Sequence, residues 1–375
     1  MAIQSAGRGH NTHLIKITLG YEPESGKRLY YTETFKGTKK EARLREAELK
    51  IQNREKKLAL SSAMTFNTCF NRYCDEGRSR LSLSCYHTYE YFIKQYLLPA
   101  IGDKKLKEIT TDDFQKVYDS MNARGLLPRT IRSVHTATRA VIKWAIKKNL
   151  LSSNVLEGVK LPKIPKPQPE FLTFEEMQSF FDVAPNYWYG NALKFQFMTG
   201  LRNQELMALM WEDINFEVAT VRIKRACIWI RSTFKGFKST KTGEERTLEL
   251  DPPTMEFLKS LKDIQEIHIT LRKKLKLPYN DKRLVFCTND GRVPNMEGPR
   301  RCFKTILQKI GITRNFRWYG IRHTHATHLL STRANPKMIS NRLGHSVEML
   351  FRIYGHEMPG QQREALSEIS SRVVL

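Results

Sequence analysis

At 375 residues the chain is longer than one ordinary core and suits two or three domains. Lys and Arg number 63 against 38 Asp and Glu, a net charge of +25 that points to a polyanionic partner, nucleic acid before an anionic membrane surface. No run approaches the roughly 18 apolar residues of a spanning helix. The N-terminal MAIQSAGRGHNTHLIKI lacks the apolar segment of a signal peptide, so a cytoplasmic, nucleoid-associated protein without membrane contact is expected. The six cysteines are scattered with no C-x-x-C pair, which argues against a zinc site and a disulfide framework and for reduced, mostly buried thiols.

In chain order, HLIKITLGY and KRLYYTETF alternate β-branched and aromatic residues around a PESGK turn and predict two short strands. A charged helix follows from Gly37, opened by Thr38 with Glu41 at capping-box spacing. This small module is dense in cations, among them Lys16, Lys27 and Arg28, and either binds DNA or is a solvated appendage. Residues 64–152 read as all-helical, with breaks near Gly102, at Thr110 to Asp113 and at Arg124 to Pro128. The helix starting at Pro128 places Arg129, Arg132 and Arg139 beside apolar Ile131, Val134 and Val141, an arrangement that can cradle a duplex backbone. Pro-rich VKLPKIPKPQPE, from Val159, is an extended linker.

Beyond it the pattern is mixed. Thr173 and Glu176 form another capping box, and a helix through ALKFQFMTGLRNQELMALM breaks at Gly200. Strands are expected at TVRIKRACIWI and RTLEL, joined by a basic turn, FKGFKSTKTGEE; the remainder is mainly helical as far as SEISSRVVL. The fold class expected is multidomain and mainly α with small sheets: a ββ(β)α domain at 1–58, an all-α domain at 64–158, a linker at 159–170 and an α+β domain at 171–375.

Chemistry-bearing residues gather in the last domain. Arg202 follows the Gly200 break in TGLRNQEL, and Lys241 sits at a hairpin tip in STKTGEERTLEL. Arg322 opens a His-rich helix in FRWYGIRHTHATHLL, and His345 and Tyr354 lie nine residues apart in RLGHSVEMLFRIYGH. Each alone has an ordinary explanation: a surface arginine, a solvated lysine, a core tyrosine. The set, in this order, resembles the tyrosine recombinases, the integrases of phages and conjugative elements. The matching boxes are Thr199 to Leu206, Lys241 with Arg246 five residues on, RHTHAT from Arg322, and Leu343 to Ser346 followed by Tyr354.

That resemblance implies an arm-site DNA-binding domain, a core-site DNA-binding domain and a catalytic domain, in that order. It implies that Arg202 and Arg322 grip the non-bridging oxygens of a phosphodiester and that His345 donates a hydrogen bond to it. Tyr354 would attack phosphorus and leave a 3′-phosphotyrosine, while Lys241 protonates the departing 5′-oxygen. Paired guanidiniums suit a pentacovalent phosphorane, and side-chain charge makes a metal or other cofactor unnecessary. The implied partners are double-stranded DNA carrying core and arm att sites, three further copies in a tetramer that works through a Holliday junction, and a directionality factor. The C-terminal ALSEISSRVVL either packs on a neighbouring protomer or on its own domain.

One position departs from the family pattern. Tyr319 stands where the family has histidine, and a phenol is a poor base at neutral pH. Either Tyr319 keeps only an orienting role, or His323 or a water takes the proton. The rivals are a non-cleaving DNA-binding accessory protein on the same scaffold, a type IB topoisomerase, and a metal-dependent nuclease built on His323, His325 and His328. Helical steps of roughly 100° disfavour the last, because His323 falls away from the other two.

Overall fold

The computed structural model describes residues 3–5, 12–21, 28–60, 64–165, 170–230, 232–239, 245–332 and 334–354. The chain divides into two compact units, Met1–Pro165 and Lys166–Leu375.

The first unit opens with an antiparallel sheet of β1 (Ile3–Ser5), β2 (Thr12–Tyr21) and β3 (Arg28–Lys36) in that order. The sequence places β2 and β3 and leaves a third strand optional; the structure supplies it as β1. Ile15 and Ile17, two apart on β2, bury on one face against Ala42 and Leu49 of α1 (Lys39–Leu60), the period-2 and period-3.6 patterns meeting as they should. The capping box forms: the Thr38 amide donates to Glu41 at 2.8 Å, and the Glu41 amide donates to Thr38 Oγ1 at 3.3 Å.

A helical bundle completes this unit. It contains α2 (Phe66–Gly77), α3 (Leu83–Phe92), which runs through a π-turn at Ile93–Leu97 into α4 (Leu98–Ile101), α5 (Thr111–Ala123) and α6 (Pro128–Lys147). Phe66, Phe70, Phe114, Ile131, Val134 and Val141 are fully buried in its core. The TTDD break is a helix start, with Asp113 accepting from the Thr110 amide at 2.7 Å. Arg129, Arg132 and Arg139 all lie exposed along α6, and Arg132 donates to the Pro162 carbonyl at 3.0 Å. Lys16 is exposed on β2 with its Nζ 3.9 Å from the Tyr30 ring centroid. Lys27 and the side chain of Arg28 lie outside the described residues.

The second unit is built around α7 (Phe174–Val183), α8 (Gly190–Thr199) and α9 (Asn203–Leu206). Five strands follow: β4 (Ile214–Asn215), β5 (Thr220–Ile223), β6 (Arg225–Ile230), β7 (Thr233–Ser239) and β8 (Arg246–Glu249). They form two separate antiparallel sheets, β4-β5-β8 and β6-β7. This corrects two expectations. TVRIKRACIWI is divided between the sheets at Lys224, and FKGFKS is a strand paired with β6, not a turn. Five helices complete the described residues: α10 (Pro252–Lys274), α11 (Glu297–Lys309), α12 (Gly320–Ser331), α13 (Pro336–Leu343) and α14 (Val347–Tyr354).

The main core of this unit joins Phe180, Phe195, Phe197, Leu206, Val221 and Phe303. A separate small cluster joins Ala326, Leu330, Ile339, Leu343 and Leu350. No helix among the described residues is long and apolar enough to cross a membrane. All six cysteines are free thiols, four of them buried.

The bundle core gives the first test. Phe114 is fully buried and packs edge-on against Phe66 at 6.1 Å between centroids. Phe114→Ala is expected to destabilise this unit by about 3–5 kcal/mol, seen as a lower urea midpoint, because the surrounding helices collapse only partly into the space left.

Candidate active site

The TGLRNQEL stretch turns sharply. Gly200 caps α8 in the left-handed conformation, at φ +66°. A Cβ there would come within 2.5 Å of the His325 ring and 2.8 Å of Leu343, so glycine is needed for both backbone and space. Buried Gln196 braces the turn, donating to the Leu201 carbonyl and to Asn203 Oδ1, each at 2.8 Å, and accepting from Trp318 Nε1 at 2.6 Å. Arg202 thereby sits at the start of α9, with Glu205 one turn on.

Glu205 is the hub. It is 2% exposed and its two oxygens take four hydrogen bonds, which fills a carboxylate. Oε1 accepts from Arg202 Nη1 at 2.8 Å and Arg246 Nη1 at 3.1 Å; Oε2 accepts from Arg246 Nη2 at 2.6 Å and the Arg202 amide at 3.0 Å. Burial alone would raise the Glu205 pKa, but the Arg246 and Arg202 guanidiniums outweigh it and hold the carboxyl at about 2.

Backbone carbonyls at two helix ends complete the cradle. Arg202 donates to the Gly344 carbonyl at 2.5 Å, and Arg246 donates to the Arg342 carbonyl at 2.9 Å. Arg322, 2% exposed on α12, donates to the Gly200 carbonyl at 2.8 Å and also to the Leu343 carbonyl. The C-termini of α8 and α13 carry partial negative charge, which suits them to hold cations. Gly344, at φ +65°, makes the second left-handed cap; a Cβ there would lie 3.2 Å from Arg246 Nη1. Burial and the nearby Arg202 charge both push the Arg322 pKa down, a sign of cations crowded together.

His345 follows Gly344 directly. Burial and the Arg322 charge depress its pKa to about 4, with the Ser346 backbone acting the other way, so the ring is neutral near pH 7. Two guanidiniums share the Glu205 carboxylate and the third, Arg322, donates to carbonyls, an under-neutralised cradle that can take a further anion beside a neutral imidazole donor. A cleft of about 940 Å3, lined among others by Arg246, Gly344 and His345, opens next to it.

The remaining sequence candidates are placed as follows. Tyr319 lies just before α12, 47% exposed, its ring edge-on to His323 at 5.2 Å. Burial and Arg322 depress the His323 pKa to about 4. Tyr354 ends α14, but its side chain lies outside the described residues, as does Lys241. His325 and His328 are backbone staples. His325 Nδ1 donates to the Phe197 carbonyl at 2.8 Å, leaving Nε2 to accept from Arg342 at 3.2 Å. His328 Nε2 donates to the Leu172 carbonyl at 2.8 Å and stacks on Phe174. Among the described residues, no three His, Cys, Asp or Glu side chains group as metal ligands. Glu205 falls within the Thr199 to Leu206 box but was given no role there; its place three residues after Arg202, at an N-terminal helix turn, was the available signal.

With this geometry in view, comparison with known proteins is decisive. Residues 170–360 match the model of the phage integrase family, and 65–122 match the N-terminal SAM-like domain of phage integrases. The chain belongs to the phage integrase family. It is an enzyme of the tyrosine recombinase type, as the boxes around Arg202, Arg322 and His345 led us to expect. It is similar to the ICEBs1 integrase of Bacillus subtilis, at 22% identity over 95% of this chain and 96% of the relative. Its fold is similar to that of the Tn1549 transposon integrase solved with transposon right-end DNA, with a TM-score of 0.67, 17% identity, 82% of this chain and 100% of that one. It is also similar to the lambda integrase tetramer solved on a Holliday junction, with a TM-score of 0.60, 15% identity, 92% of this chain and 95% of that one.

The Glu205 hub predicts acid behaviour. Against an ordinary value near 4.5, a folded pKa of about 2 means that the unfolded chain binds this proton first as pH falls. The stability it supplies is complete above pH 4.5 and drains away towards pH 2, ~3 kcal/mol in all. His323, His325 and His345, held at about 4, 3 and 4, cost stability earlier, as pH falls below 6.5. Glu205→Gln is expected to lower stability at pH 7 by about 3–5 kcal/mol and to flatten the profile below pH 4.5 only. Urea midpoints measured across pH test this; an unchanged slope below 4.5 counts against the hub.

Proposed function

We propose that this recombinase cuts and rejoins duplex DNA at a specific site through a covalent 3′-phosphotyrosine on Tyr354. It acts as a homo-tetramer, exchanging strands pairwise through a Holliday junction to integrate and excise a mobile element. The observation carrying this reading is the convergence of Arg202, Arg322 and His345 on the C-terminal end of α13, from which α14 runs to Tyr354. The solved relatives include integrases on DNA and a tetramer on a junction, which supports the partner and the assembly.

Each guanidinium has five N–H donors, and the described contacts of Arg202 and Arg322 occupy two side-chain nitrogens on each. The remaining donors would hold the non-bridging oxygens of the scissile phosphate and stabilise the phosphorane as charge builds. His345, neutral, would donate one more hydrogen bond. The Tyr354 hydroxyl attacks phosphorus and loses its proton; the bond to the 5′-oxygen breaks, and Lys241 supplies the proton to that oxygen. Rejoining is the reverse, with a 5′-hydroxyl attacking the phosphotyrosine, so no outside energy is needed. The exposed arginines of α6 and the cations of the N-terminal sheet would hold DNA at the core and arm sites.

A non-cleaving accessory role has one observation in its favour, Tyr319 in the family's histidine position. A nicked att-site substrate separates the two readings. The wild type is expected to form a covalent protein–DNA band that Tyr354→Phe abolishes; no band in the wild type means an accessory protein.

Tyr319 supports a finer test. If it only orients the phosphate, Tyr319→Phe loses one hydrogen bond, about 1 to 1.5 kcal/mol, and single-turnover cleavage falls about five- to tenfold. A loss of about a hundredfold or more in His323→Ala, against that small loss, assigns the proton to His323.

A further inference from the structure

Helix α10 changes character along its length: Met255 and Leu258 are buried in the main core, whereas the C-terminal half is held by polar contacts. Its polar residues face the protein body: Gln265 donates to the Leu284 carbonyl at 3.1 Å, His268 Nε2 lies 2.9 Å from the Asn289 carbonyl, and Arg272 donates to the Pro278 carbonyl at 2.9 Å. In that C-terminal half the aliphatic residues face outward. Ile264 and Ile267 are each 61% exposed, Leu271 52%, and Leu275, at the C-cap, 68%. At roughly 100° per residue these four fall within one stripe about 80° wide that runs three turns along the helix. Scattered apolar residues are ordinary on a surface, but an aligned stripe beside a helix face already anchored by polar contacts marks a surface built to be covered.

We propose that this stripe is a self-association surface, covered by α10 of a second copy of the chain running antiparallel to the first. The charges choose the occupant. Asp263 and Lys274 are both exposed and border the same edge of the stripe. When Asp263 of one copy is level with Lys274 of the other, two-fold symmetry forms the same ion pair twice. In that register the apolar side chains alternate: Leu271 of one copy is level with position 266 of the other, between its Ile264 and Ile267. Leu275 is level with position 262, just beyond Ile264. Knobs meet holes along the whole stripe. DNA would leave it uncovered, because phosphates held by the neighbouring lysines gain nothing from the aliphatic row itself. A contact of three helical turns falls at the small end of specific interfaces, below about 1,200 Å2, so association in the micromolar range is expected.

Sedimentation velocity on the full chain without DNA, over a micromolar concentration series, tests the proposal. The wild type is expected to dimerise, and Ile267→Asp with Leu271→Asp to weaken dimerisation at least about tenfold while the circular dichroism spectrum stays unchanged. Asp263→Lys and Lys274→Asp are each expected to weaken it, and the two together to restore it. Only a helix facing its own copy gives that restoration, since a different partner or general stickiness would not respond to the paired reversal. A chain lacking residues 361–375 should still dimerise. A monomeric wild type, a double reversal that fails to restore, or a dimer lost with the C-terminal tail would each overturn the proposal. The readout uses no DNA and no cleavage, so failure here leaves the recombinase reading standing.

Discussion

Everything in the second unit depends on how four buried or half-buried charges are kept out of water. One carboxylate, Glu205, holds Arg202 and Arg246 with four hydrogen bonds, and the hydrogen bonds of Arg322 to the described residues go to carbonyls. A buried ion costs several kcal/mol unless it is paired, so each contact constrains the backbone that supplies it. The carbonyls of Gly200, Arg342, Leu343 and Gly344 can point inward only because α8 and α13 both end on left-handed glycines. The fold thus brings together α9, β8, α12 and the ends of two helices, and leaves positive charge in excess where they meet. Phosphate is the natural complement to such an excess.

The three histidines of RHTHATH illustrate how one residue type divides its labour. His325 and His328 each satisfy a buried carbonyl, one tying α12 to α8 and the other tying α12 to the segment before α7. Desolvation keeps His325 neutral, which its role requires, since it accepts a hydrogen bond from Arg342. His323 alone lies beside Tyr319, at the edge where chemistry is proposed.

Much of the site was legible because its residues sit in short local boxes. TGLRNQEL encodes a helix stop, a left-handed turn and a new helix start within eight residues, and RLGHS encodes the second left-handed cap. What stayed hidden was the long-range pairing. Nothing local to RTLEL says that Arg246 reaches Glu205, because the two lie 41 residues apart and meet only in the folded domain. FKGFKS was misread for a related reason: its Gly, Lys and Ser favour a turn, but pairing with the apolar RACIWI strand overrides that preference. The capping boxes at Thr38 and Thr173 were legible because a cap is satisfied within four residues.

The small cluster under α14 stands apart from the main core. Leu350 is fully buried there with Ala326, Leu330, Ile339 and Leu343, away from the large aromatic core that steadies Arg202. The helix that ends at Tyr354 therefore rests on four aliphatic side chains of α12 and α13, and the C-terminal end of α13 also supplies the carbonyls that hold Arg202, Arg246 and Arg322. Local opening free energy follows local burial, so an element seated on a small cluster opens at lower cost than one in the main core. On the proposed chemistry, which needs a firm hold on phosphate and an attack delivered at one moment, timing would belong to the part that is cheapest to move.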